Sequence, residues 1–297
     1  MVKDFINLTD FGAESLLRLL RQAAEDKRRF RAGTLEPTLR NKTLAMVFEK
    51  PSLRTRVSFE TGMCQLGGQA VYLAPADIGL GKREPVKDVA RVIGRMCDAI
   101  MARTFEHETV TELGRYSPVP VINALSDYSH PCQAMADLQT AAEFLPDCDD
   151  PADLSGRTLL FVGDGNNVAR SLAVVCAKLG MRMILAAPEG YELEASFASG
   201  LSGPGEFALS RDPLQAGGRA DVIYTDTWVS MGQEQEREKR IEDFRGFQIN
   251  AELLAAAPDH AVVLHCLPAY RGYEITDAAF EAHAASILEE AENRLHF

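Results

Sequence analysis

Hydroxyl and guanidinium groups crowd the stretch VFEKPSLRTRVSFETGM, residues 47–63, where Ser52, Arg54, Thr55 and Arg56 follow a proline. Such groups at this spacing suit an oxyanion. If a strand ends at Phe48 and a helix begins near Leu53, Ser52 and the amides after it lie at a helix N-terminus, where unpaired N–H groups and the dipole attract negative charge. Arg54 then adds a forked, permanent cation suited to phosphate. The same residues also fit a capped helix whose arginines pair with Glu49 and Glu60. Spacing alone does not separate the two readings.

Four later stretches carry further candidates. In LSDYSHPCQAMADLQT, His130 precedes Pro131, and Gln133 opens a helix; both fall after the strand VPVINAL, where open α/β sheets bind ligands. FVGDGNNVARSL has the strand, glycine turn and helix of a dinucleotide fingerprint, but only Gly163 and Gly165 are present and Val168 stands at the third glycine position. Asn166 and Asn167 offer neutral amides for a carboxylate or an amine, or a plain helix cap. In YTDTWVSMGQEQEREKR, Asp226 ends a strand and suits an ammonium group or a cap, and the charged run reads as a solvated helix face. In VVLHCLPAYRGYEITD, Cys266 invites a nucleophile, yet no general base follows from spacing, and His265 reads as a packed side chain.

Positioning these groups requires alternating strands and helices, and the chain has them. TLAMVF, AVYLA, AIMAR and PVPVINAL read as strands separated by helical runs at 53–66 and 86–95, after an amphipathic helix over 11–30. PDCDDPADLSG then marks a boundary near residue 150. RTLLFVG, MRMILAA, DVIYTD and AVVLHCLP repeat the alternation, with a loop between the second and third, and 277–295 is helical in pattern. The fold class expected is α/β, with two doubly wound parallel sheets and the active site in the cleft between them. One domain spans 1–145, with the helix at 277–297 packing back on it, and the other spans 150–276.

With 297 residues, 46% hydrophobic, the chain suffices for two such domains. No run of about eighteen apolar residues occurs, and the charged start MVKDFINLTDF lacks the apolar centre of a signal peptide, so a soluble, cytoplasmic protein is expected, with no membrane partner. Six scattered cysteines without a CxxC pair read as reduced thiols. A net charge of −12 argues against nucleic acid and confines any bound anion to a local site.

Taken in order, FEKPSxRTRVSFE, MARTFEH, DYSHPCQ, GDGNN, DTWVSMGQE, HCLPAYRG and AENRLH resemble the aspartate/ornithine carbamoyltransferase family over nearly the whole length, and DTWVSMGQE points to its ornithine-using branch. The resemblance implies a carbamoyl phosphate site of Ser52, Leu53 through its backbone, Arg54, Thr55, Arg103, His130, Gln133 and Arg294. It implies ornithine ligands Asn167, Asp226, Ser230, Met231, Cys266 and Leu267, with Arg103, His130 and Cys266 as the catalytic residues, no metal and no cofactor. Arg56 is left as structural. A homotrimer is implied, as is closure of the two domains when ornithine binds. Two departures stand out: Leu53 where most of the family has a hydroxyl residue, and Gly79 where relatives offer a polar side chain to a neighbouring subunit, so that either Lys82 takes over that contact or it is missing. Competing readings are a carbamoyltransferase for another amine, such as putrescine or acetylornithine, an NAD-dependent dehydrogenase, and a non-catalytic assembly subunit.

Overall fold

A computed structural model describes residues 3–81, 83–229 and 234–297. Contacts divide the chain into two compact units, residues 1–133 with 294–297, and residues 134–293.

The first unit runs α1 (Ala13–Arg31), β1 (Thr43–Phe48), α2 (Leu53–Gln65), β2 (Gln69–Leu73), α3 (Pro75–Ile78), α4 (Val86–Ile93), β3 (Ala99–Arg103), α5 (His107–Tyr116) and β4 (Val121–Leu125). Its four strands are parallel, in the order β2-β1-β3-β4. β1 is buried from Leu44 to Phe48, as a strand covered on both faces must be. β4 starts later than the apolar run PVPVINAL, because Pro118 and Pro120 have no N–H for the ladder. On α1, Leu16, Leu20, Ala23 and Lys27 recur at helical spacing and form its buried stripe.

Chain order reverses direction between β1 and β3. That makes their carboxyl ends the switch point of this sheet, the place where doubly wound sheets receive ligands.

α6 (Pro131–Phe144) leads into the second unit, which contains β5 (Thr158–Val162), α7 (Asn167–Leu179), β6 (Arg182–Ala186), α8 (Ala195–Ser199), β7 (Glu206–Ser210), α9 (Pro213–Gly217), β8 (Val222–Thr225), α10 (Arg237–Asp243), α11 (Ala251–Ala256), β9 (Val262–His265), α12 (Asp277–Ala282) and α13 (Ala284–His296). The sheet is again parallel, in the order β7-β6-β5-β8-β9, with its switch point between β5 and β8. The core beneath it gathers Leu160, Val162, Ile223, Trp228 and Phe244.

The segment expected as a loop between β6 and β8 contains a strand, β7. Its alternation of Glu206 and Ser210 with Phe207 and Leu209 is that of a partly solvated edge. The helical stretch 277–295 is two helices, interrupted at His283. Contacts assign nearly all of α6 and α13 to the second unit, because α13 bonds both α6 and strand β9.

Candidate active site

In the first unit, strand register does the positioning. Phe48 of β1 lies beside Arg103 of β3, so the loop after β1 runs next to the last residue of β3, and Glu49 N–H bonds Arg103 C=O at 2.9 Å. Ser52 caps α2: its Oγ accepts from Thr55 N–H at 3.4 Å while its hydroxyl donates to Thr55 Oγ1 at 3.0 Å. Arg103 donates from Nη1 to the same Thr55 Oγ1 at 3.3 Å. Ser52, Thr55 and Arg103 therefore form one contact group at the switch point. Arg54 sits half-buried in the first turn of α2.

Leu53 is 75% exposed, so its side chain points into solvent, while its amide remains at the helix start. Arg56 pairs with Glu60 at 3.0 Å and lies over the Tyr72 ring at 4.0 Å, which ties α2 to β2. Gly79 adopts the left-handed conformation that closes α3, φ 52°, and a Cβ there would stand 3.0 Å from that of Arg83. A side chain at 79 would thus be strained; Lys82 lies outside the described residues.

His130 and Gln133, both buried, follow β4. Arg294 Nη1 donates to Gln133 Oε1 and faces His130 Nε2 at 3.4 Å. A guanidinium only donates, so Nε2 is the acceptor and the imidazole proton resides on Nδ1. Burial, reinforced by Arg294, Arg103 and Lys50, pushes the His130 pKa well below its ordinary value, and the ring is neutral. Among the described residues, Nε and Nη2 of Arg294 are buried without an acceptor. A ligand oxygen would satisfy them.

Lys50 was not among the sequence candidates. It lies over the Phe105 ring at 5.0 Å, and burial, with Arg103 beside it, lowers its pKa to about 8. The signal was present in the stretch FEKPS, but a lysine there reads as one more surface cation.

In the second unit the β5 and β8 ends are adjacent, Val162 beside Thr225. Asp226, just past β8, accepts from Asn166 Nδ2 at 2.7 Å, from Thr227 N–H at 2.7 Å and from the Cys266 thiol at 3.0 Å. Asn166 Oδ1 meanwhile caps α7 by accepting from Val168 and Ala169 N–H. Asn166 rather than Asn167 therefore contacts Asp226; Asn167 is half-buried in the first turn of α7, with its carbonyl accepting from Ser171 Oγ at 2.8 Å.

Burial, then Asp226 and Glu290, raise the Cys266 pKa well above that of a free thiol. It is an S–H donor rather than a thiolate. Leu267 adopts φ 56°, uncommon for a residue with a branched side chain, and its N–H donates to His265 Nδ1 at 2.9 Å. His265 is fully buried and bonds Glu274 through Nε2 at 3.1 Å, a packed residue as its sequence context suggested. Ser230 and Met231 lie outside the described residues.

The run EQEREKR is not wholly solvated. Arg240 is 6% exposed; it pairs with Asp164 at 2.8 Å, bonds the Trp228 carbonyl at 3.0 Å and pairs with Glu236 at 3.1 Å. Its partner lies 76 residues away in sequence, in the loop after β5. Short-range reading has no access to that pair.

Gly165 answers the dinucleotide question. In a nucleotide-binding turn the second glycine lets a pyrophosphate approach the backbone. Here a Cβ at Gly165 would lie 2.6 Å from Leu193 N and 2.9 Å from Tyr191 O, and Gly165 N–H already bonds Tyr191 C=O at 2.8 Å. The chain's own backbone fills that approach. Among the described residues, no group of three or more His, Cys, Asp and Glu side chains is gathered as metal ligands would be.

Comparison with known proteins places these clusters in context. Residues 3–143 match the family model described as "Aspartate/ornithine carbamoyltransferase, carbamoyl-P binding domain", and residues 155–297 match "Aspartate/ornithine carbamoyltransferase, Asp/Orn binding domain". An ornithine carbamoyltransferase of Campylobacter curvus is 46% identical over 99% of this chain and 96% of its own, and one from Methanosarcina mazei is 46% identical over 100% and 96%. The solved structure of the Pyrococcus furiosus ornithine carbamoyltransferase superposes with TM-score 0.92 at 44% identity, covering 99% of this chain and 94% of that one.

Proposed function

The chain belongs to the aspartate/ornithine carbamoyltransferase family, and from that premise we propose that it transfers the carbamoyl group of carbamoyl phosphate to the side-chain amine of L-ornithine, giving L-citrulline and phosphate. The observation that carries this reading is the contact group of Ser52, Thr55 and Arg103 at the switch point of the first sheet, where the start of α2 and a buried guanidinium converge as a phosphate site requires.

Carbamoyl phosphate is an activated acyl group, so the protein must bind a dianion, polarise a carbonyl and admit an unprotonated amine. Ser52, Leu53 N–H, Arg54, Thr55 and Arg103 hold the phosphate. Neutral His130 donates to the carbonyl oxygen, Gln133 orients the carbamoyl amide, and Arg294 adds donors on the same side. Asn167, Asp226, Ser230, Met231, Cys266 and the backbone of Leu267 hold ornithine by its amino-acid head and align its side chain. The amine nitrogen attacks the carbonyl carbon, a tetrahedral intermediate forms, the C–O bond to phosphate breaks, and the departing phosphate takes the amine's proton. Arg54 and Arg103 stabilise the charge left on the phosphate oxygens. The first unit serves carbamoyl phosphate and the second ornithine.

The reading extends to a homotrimer in the cytoplasm. Exposed apolar Leu53 and Val57, one turn apart on α2, and Val71 on edge strand β2 support self-association, and six unbridged cysteines suit a reducing compartment.

The test is citrulline formation by purified protein with carbamoyl phosphate, comparing ornithine, putrescine, acetylornithine and aspartate, with Arg54→Ala as control. Turnover confined to ornithine and lost in the variant supports the proposal. Turnover with another amine instead would reassign the substrate, and none at all would reduce the assignment to fold.

A further inference from the structure

Strand β9 is the edge of the second sheet, so one row of its backbone groups has no neighbouring strand. Helix α13 supplies the partners. Ser286, Glu290 and Asn293 share a face of α13 and are all buried. Ser286 Oγ donates to Val263 C=O at 2.6 Å, and Glu290 Oε2 accepts from His265 N–H at 2.6 Å. A carbonyl and the N–H two residues on are the pair a parallel strand would engage. Asn293 Nδ2 donates to Thr140 Oγ1 and Glu143 Oε2 of α6, both at 2.9 Å.

Glu290 does more than cover an edge. Its Oε1 accepts from the Tyr224 hydroxyl of β8 at 3.3 Å, and its carboxyl is hydrogen-bonded to Asp137 of α6. Both acids are fully buried. Two carboxyl groups in contact in such a place are held by sharing a proton, and burial together with Asp137 raises the Glu290 pKa far above that of an exposed glutamic acid. Covering a strand edge does not by itself require this arrangement, since a hydroxyl such as Ser286 suffices for the carbonyl two residues earlier. What the carboxyl adds is a joint between the ends of two strands: His265 is the last residue of β9, and Tyr224 is the next-to-last of β8. The residues that follow them are Cys266 and, one residue further on, Asp226, whose side chains meet at 3.0 Å.

We propose that Glu290, linked to Asp137, is a positioning residue for the amine-side pair Asp226 and Cys266. It clamps the end of β9 to β8 and so sets the distance at which the thiol meets the carboxylate. The proposal rests on the carbamoyl-transfer reading for its kinetic consequence, but the clamp itself is a matter of geometry.

Two conservative variants separate reach from acidity. Glu290→Gln keeps the length, an acceptor oxygen for His265 N–H, and an amide that reverses the second bond by donating to the Tyr224 oxygen and to Asp137. Glu290→Asp keeps the acid but is one methylene too short. A clamp predicts that E290Q stays close to wild type, whereas E290D raises the KM for ornithine about ten-fold with the KM for carbamoyl phosphate unchanged, the scale of one lost buried hydrogen bond. A crystal structure of E290D should show Cys266 Sγ beyond hydrogen-bond reach of Asp226 Oδ1.

E290D with wild-type ornithine KM and an unchanged thiol–carboxylate distance would overturn the clamp. If E290D does not fold, E290Q still puts the clamp at risk: a large rise in ornithine KM in a variant of unchanged melting temperature would refute the proposal. If the wild-type protein does not turn over ornithine, the carbamoyl-transfer reading fails, and the distance in the E290D crystal still decides the clamp.

Discussion

Cys266 donates its thiol hydrogen to Oδ1 of Asp226 across 3.0 Å. With its pKa raised by burial and by Asp226 and Glu290, the sulfur is held as a thiol donor toward that carboxylate. Cys266→Ser preserves a donor in the same place and should retain kcat/KM for ornithine within a few-fold. Cys266→Ala removes the donor and is expected to lose about ten-fold or more. A serine variant as poor as the alanine variant would show that sulfur itself is needed.

Lys50 sets a cation that titrates near pH 8 beside Arg103 of the proposed phosphate site. Its pKa, brought down to about 8 by burial and Arg103, means that the cation is present below pH 8 and is lost above it. The carbamoyl phosphate KM should therefore climb by about three- to ten-fold between pH 7 and pH 9. The ornithine amine acts in the opposite direction, because its reactive neutral form grows with pH. Together they produce a rising limb followed by a falling one in kcat/KM, and Lys50→Met should flatten the carbamoyl phosphate dependence near pH 8. A variant with the wild-type inflection would remove Lys50 from the site.

His130 behaves as a neutral ring. Its folded-state pKa is depressed, so the unfolded chain takes up a proton near pH 6.5 that the folded protein refuses, and stability is full above that pH and declines as pH falls below it. Urea midpoints measured from pH 7.5 down to 5 should fall less steeply in His130→Gln than in wild type. The activity of the wild-type protein should show no inflection near 6.5 attributable to this ring.

Arg240 fastens α10 to the loop after β5. Removing it leaves Asp164, whose pKa burial already raises, without its cation, and frees the Trp228 carbonyl. Arg240→Ala should cost about 3 kcal/mol in urea unfolding. An ordinary wet helix face would lose less than about 0.5 kcal/mol at this position.

What sequence made legible follows the range of the interactions involved. TLAMVF and AIMAR became β1 and β3 at the bounds their apolar runs set, since parallel strands buried on both faces carry their signal in adjacent residues. β7 escaped because an edge strand with Glu206 and Ser210 in it looks like the polar loop around it. In the first cluster, Ser52 and Thr55 stand within one motif, FEKPSLRTR, whereas Arg103 comes from a second, MARTFEH, that only the strand register sets beside it. Asn166 against Asp226, Arg240 against Asp164 and Glu290 against His265 were not legible, because each pair joins elements that only the sheet topology brings together.

The contact between Gly165 and residues 191–193 has a consequence for what this scaffold can become. A glycine turn after the first strand is the doorway through which nucleotide-binding relatives of this architecture admit a cofactor, and here the threshold is occupied by a segment of the same polypeptide. The loop after β6 acts as a resident ligand, tethered and present at saturating concentration in every molecule. Converting the second unit into a dinucleotide binder would mean shortening that loop first, since a restored third glycine at position 168 would leave the doorway blocked.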